Sequence, residues 1–121
     1  MNSIYKFFLS VAGAIFYLTL SSTSITAQTA KKATAAEIAE GKVLISKSDC
    51  LACHKTDAKL LGPSYKDVAK KYAAIEANYN LLSQKVIKGG SGVWGSIPMA
   101  PHASLKPEEA KKMIKYILSI K

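Results

Sequence analysis

Both cysteines of the chain and one of its two histidines fall within five residues, Cys50-Leu51-Ala52-Cys53-His54, and no other stretch constrains the fold as strongly. Thiols at this spacing can close a disulfide, hold a metal or bond to a prosthetic group, and each use asks for different surroundings. A dithiol redox site belongs at a strand-to-helix junction, and this sequence offers no strand pattern. Zinc asks for four ligands, yet the other histidine, His102, lies in a distant loop. A plain disulfide has no use for the adjoining imidazole. In C-x-x-C-H the two sulfurs add across the vinyl groups of a porphyrin, and the imidazole becomes an axial ligand of the iron. The motif therefore predicts one haem c, covalent through Cys50 and Cys53, with His54 as a metal ligand.

The surrounding sequence suits that cofactor. Lys6 precedes an apolar run of 14 residues, Phe7 to Leu20, followed by the small polar segment SSTSITAQ. This reads as a secretory signal peptide over residues 1–27, too short to cross a bilayer as a helix. The domain is thus expected to be exported, to the periplasm, or held on the outer side of the membrane if the signal is not cleaved. Removing residues 1–27 leaves 94 of the 121 residues, a size at which a core alone gives marginal stability. Residues 28–33 read as a flexible N-terminus, and 34–121 as one domain.

Four short helices are predicted within it. Thr34 and Glu37 form a capping box for the first, whose stripe of Ile38, Leu44 and Ile45 includes Gly41. Tyr65, Val68, Ala69 and Tyr72 mark the second; Tyr79, Leu82 and Val86 mark the third, from about Asn78 to Lys88, stopped by Gly89-Gly90. Pro107 opens the fourth, with Glu108 and Glu109 in its first turn and a stripe of Ala110, Met113, Ile114, Ile117 and Leu118. Between the third and fourth, GGSGVWGSIPMAPHASL reads as one long loop without a regular period. So few large apolar side chains leave the middle to be filled by something else.

If His54 takes one axial position, Met99 is the candidate for the other. Met113 belongs to a helical stripe and Met1 to the signal, whereas Met99 stands in the loop between Pro98 and Pro101, which restrict its backbone. Charge points to the partners. Seventeen lysines and no arginine are present, and the mature chain keeps 16 lysines against 8 acidic residues, or +8. A basic surface favours acidic partners. Nucleic acid fits poorly, because the protein is exported and has no arginine for bidentate reading of guanine.

The motifs CLACH, LLGPSYKDVAKKY, GGSGVWGSIPMAPH and PEEAKKMIKYILSI, spread over about residues 36 to 120, resemble the small soluble bacterial class I cytochromes c. The resemblance implies an all-α fold, the class I cytochrome c fold, with four short helices wrapped around one covalently bound haem. It implies a monohaem one-electron carrier, a monomer and not an enzyme, serving a reductase or terminal oxidase with an acidic docking face and free of stable membrane insertion. It also implies site roles: a Pro63 carbonyl bonded to His54, Trp94 on a haem propionate, and Met99 as distal ligand. Lys85 stands where many members have an arginine near the propionates, His102 where an asparagine is frequent, and Tyr116 where a tryptophan is frequent. The alternative is a haem domain with a displaceable distal ligand, acting as a gas sensor or as a subunit of a larger redox enzyme.

Overall fold

The computed structural model describes residues 31–121; the expected signal peptide, and residues 28–30 of the expected flexible N-terminus, lie outside the described residues. Helix α1 runs Ala35–Ser46, α2 Tyr65–Lys71, α3 Glu76–Lys88 and α4 Pro107–Ser119, with a single 3-10 turn at Cys50–Ala52. No helix among the described residues is long and apolar enough to cross a membrane.

The helix ends follow local chemistry. The Glu37 amide donates to Thr34 Oγ1 at 3.2 Å while the Thr34 amide donates to Glu37 Oε2 at 2.9 Å, so both arms of the expected capping box form. Ser64 starts α2 by accepting the Asp67 amide at 3.0 Å, and Lys70 and Lys71 lie in the last turn, where cations suit the helix dipole. Helix α3 begins at Glu76, earlier than expected. Asn78 does not cap it; its side-chain amide reaches back to the Ala73 carbonyl at 2.8 Å, leaving Ile75 as the residue that enters the helix. Gly89 ends α3 at φ +69°, a left-handed conformation that glycine adopts without strain.

One expectation needs correction. Part of the predicted loop forms an antiparallel hairpin, strand β1 at Gly90–Gly92 paired with β2 at Gly95–Met99, with Gly90 opposite Met99 and Gly92 opposite Gly95. Alternating hydrophobicity could not reveal it, because every residue of the hairpin before Met99 is exposed. Glycines flanking the two-residue turn at Val93-Trp94 specify it instead.

Helix α4 is the centre of the fold, packed against α1, α2 and α3. All five residues of its predicted stripe are buried, and Met113, Ile114, Ile117 and Leu118 share one cluster with Ile45, Tyr65, Tyr79 and Leu82. Each such side chain contributes on the order of 1.5–3 kcal/mol when fully buried. Gly41 lies at the crossing of α1 and α4, as expected: a Cβ there would sit 2.0 Å from the Lys112 carbonyl oxygen. Ion pairs tie α4 to α1, Lys115 to Glu37 at 2.7 Å and Lys112 to Glu40, and to α3, Lys111 to Glu76 at 2.6 Å. Lys115 is buried although it is charged; its stem joins the core and its ammonium lies 5.6 Å from the centre of the Tyr79 ring.

Candidate functional site

The 3-10 turn carries the thiols and the imidazole on one short piece of backbone. The Cys50 carbonyl accepts the amides of both Cys53, at 3.2 Å, and His54, at 3.0 Å. Cys50 is half-buried against the core, with its sulfur 3.0 Å from Ser48 Oγ, while Cys53 is exposed, and no disulfide joins them. The loop that follows folds back on this turn. Gly62 donates to the Cys53 carbonyl, Tyr65 to that of Lys55 and Lys66 to that of Thr56, each at 2.9 Å, which fixes the loop between the motif and α2.

That return places Pro63 beside His54. The ring Nδ1 is 2.8 Å from the Pro63 carbonyl oxygen, and a carbonyl can only accept, so Nδ1 carries the proton and Nε2 presents a lone pair. This is the arrangement a metal-ligating histidine needs, its orientation and basicity set by a bond on the other nitrogen. Gly62 is required for it, since a Cβ would meet the imidazole Cε1 at 2.3 Å. The buried ring of Tyr65 stacks on His54, with centroids 5.6 Å apart and planes inclined by 20°. Burial pushes the Tyr65 phenol well above its ordinary range, so it stays protonated.

The remaining candidates stand on the hairpin and α3. Met99 ends β2, half-buried, with its carbonyl packed on Gly89 so closely that a Cβ there would lie 2.5 Å away. Trp94 occupies the hairpin turn, 40% exposed. The cation over its indole is Lys71, 5.6 Å from the ring centre; Lys85 lies exposed on α3. Nothing in the sequence pointed to Lys71, which is 23 positions from Trp94 by number and reaches it only because α2 ends beside the hairpin. The structure thus joins Cys50, Cys53, His54 and Pro63 in one unit and puts Met99 and Trp94 on another. A side-chain contact links them: His102 Nε2, just beyond Met99, is 3.2 Å from Asp49 Oδ1, just before Cys50.

Large apolar side chains stay exposed in both units, Leu51, Leu60 and Leu61 around the thiols and Val93, Trp94 and Ile97 on the hairpin. Two cysteine sulfurs not joined to each other, an imidazole whose Nδ1 is taken by Pro63 and these apolar side chains fit a haem, which offers vinyl groups, iron and a broad apolar face.

Comparison with known proteins agrees with that chemistry. The family model for cytochrome c matches residues 38–121. The chain is similar to cytochrome c-552 of Hydrogenobacter thermophilus, 50% identical over 78 residues, which cover 64% of this chain and 79% of the relative. It is similar to cytochrome c-551 of Pseudomonas aeruginosa, 44% identical over 80 residues, or 66% of this chain and 76% of the relative. Among solved structures it is similar to wild-type cytochrome c552 of Nitrosomonas europaea, with a TM-score of 0.62 at 40% identity, covering 66% of this chain and 99% of that one.

Proposed function

Because the chain belongs to the cytochrome c family over residues 38–121, we propose that this small electron-carrier cytochrome is exported to the periplasm and uses His54 and Met99 as the axial ligands of its haem. The cofactor is one haem c, covalent through Cys50 and Cys53, and it supplies the one-electron couple. The chain's own part is to hold ligands still. The observation that carries the reading is the His54 Nδ1 bond to the Pro63 carbonyl at 2.8 Å, with Gly62 against the ring, which leaves Nε2 as the coordinating atom. Met99, restrained by its pairing with Gly90 and the close approach of Gly89, offers a thioether that neither gains nor loses a proton. Ligands that stay in place in both oxidation states keep reorganisation small, which suits a carrier and not an enzyme.

The partners we propose are redox proteins with acidic faces, such as a reductase or terminal oxidase. Charge on the surface is uneven in a way that supports this. Lys111, Lys112 and Lys115 are taken up by glutamates of α1 and α3, whereas Lys47, Lys55, Lys59 and Lys88 are exposed and make no ion pair among the described residues. Their positive charge remains available to steer an acidic partner.

The test is Met99→Ala. A neutral, weakly basic thioether favours ferrous iron, so its loss is expected to lower the midpoint potential and to let the reduced protein bind carbon monoxide. If the variant keeps the parent's potential and spectrum, Met99 is not the ligand.

A further inference from the structure

His102 has no role in ligation as read above, yet it occupies a junction. Its amide donates to the carbonyls of Val86 and Ile87, at 3.2 and 3.1 Å, which anchors it to the last turn of α3. Its ring crosses to the other unit of the site, where Nε2 meets Asp49 Oδ1 at 3.2 Å across a separation of 53 positions. Asp49 in turn holds the attachment turn, its carbonyl accepting the Ala52 amide at 3.0 Å.

We propose that His102 and Asp49 act as a clasp, a pair of positioning residues that holds the Met99 segment against the haem-attachment turn and so resists loss of the distal ligand. The proposal rests on Met99 being that ligand. Only Ala100 and Pro101 separate Met99 from His102, and the proline ring fixes one of the few torsions between them. Displacement of residue 102 is therefore passed to Met99 along a short backbone segment, Met99 to Pro101, that packs closely on Gly89. The Nδ1 of His102 is buried with no hydrogen-bond partner among the described residues, so the contact to Asp49 is the one polar interaction that its side chain makes. A buried nitrogen left unpaired disfavours this placement, and the bond at Nε2 offsets it.

The expected size is modest. Asp49 is 80% exposed, so the pair is wet and screened, as surface pairs are. Such a contact corresponds to a change of about two- to five-fold in an equilibrium. The experiment is titration of the ferric holoprotein with imidazole at low ionic strength, following loss of the sulfur-to-iron charge-transfer band, with unfolding by denaturant measured in parallel. His102→Ala and Asp49→Ala should each raise imidazole affinity about two- to five-fold, and the double variant should do no more than the larger single change. Asp49→Asn, which keeps an oxygen able to accept from Nε2, should restore most of the parent's resistance. Singles that match the parent, or that add in the double variant, overturn the clasp. So does a fall in unfolding stability with imidazole affinity unchanged, which is what a merely structural contact gives. If the parent lacks the charge-transfer band, the Met99 assignment fails and the clasp falls with it; if the band is present and the singles are silent, the clasp alone is wrong.

Discussion

Replacing Gly41 by alanine sets two physical effects against each other. In a helix interior alanine is favoured over glycine by about 1 kcal/mol. Against that, the new Cβ would lie 2.0 Å from the Lys112 carbonyl oxygen, 2.6 Å from its carbon and 3.1 Å from the Met113 nitrogen. All three are backbone atoms, so no change of rotamer relieves the clash. Bringing the closest contact out to 3.4 Å, where ordinary van der Waals contact begins, parts α1 and α4 by about 1.4 Å at their crossing. Ile45 on one helix and Met113 and Ile114 on the other pack in the same cluster and lose contact as the helices separate. Overpacking of this kind costs about 1–3 kcal/mol and occasionally more. Because the contacts are all to backbone, the cost lies at the upper end, about 3 kcal/mol, so after the propensity gain of about 1 kcal/mol the expected net loss is about 2 kcal/mol, and at roughly 4–8 °C per kcal/mol the fall in Tm is easily measured. The assay is guanidinium unfolding of the holoprotein followed by circular dichroism, with the slope unchanged. Gly41→Val should lose more. A Gly41→Ala protein as stable as the parent, or more so, refutes the close crossing.

Other perturbations reach the site and its surface. Gly62→Ala pushes a Cβ to within 2.3 Å of the His54 ring and should break the bond to Pro63; a less basic imidazole then raises the midpoint potential, and an unchanged potential counts against this role for Gly62. Glu37 is held at about 2, down from 4.5, first by its hydrogen bond from Lys115 and then by the Thr34 amide. The unfolded chain binds a proton there before the folded one does, so the pair's stability is full above about pH 4.5 and is lost as pH falls toward about 2. Glu37→Gln should flatten acid unfolding in that window, and superimposable curves contradict it. Electron transfer to an acidic partner should slow steeply as ionic strength rises, because screening shortens to about 10 Å at 0.1 M. A flat salt profile reduces Lys47, Lys55, Lys59 and Lys88 to solubility.

The parts of this molecule that could be read from sequence are those specified locally. Thr34 with Glu37, and Pro107 with the stripe from Ala110 to Leu118, fix helices within a few residues, and C-x-x-C-H fixes the attachment turn. Gly41 was legible because a glycine inside an apolar stripe implies close approach. What escaped depends on distant partners or on conformation without hydrophobic pattern. The hairpin is set by glycines in an exposed stretch. Lys115 reads as a surface charge until Glu37 of α1 is brought to it. Lys71 over Trp94 and His102 on Asp49 exist only after the loops have folded back, since neither pair is close in sequence.

The assignment of His54 and Met99 as a fixed ligand pair is tested most directly by the optical spectrum of the exported protein, oxidised and then reduced under carbon monoxide. The account expects a low-spin spectrum with a sulfur-to-iron charge-transfer band when oxidised, and no change on adding carbon monoxide to the reduced form. An oxidised spectrum without that band, or immediate binding of carbon monoxide, contradicts it and leaves a haem domain whose distal position is open or easily vacated.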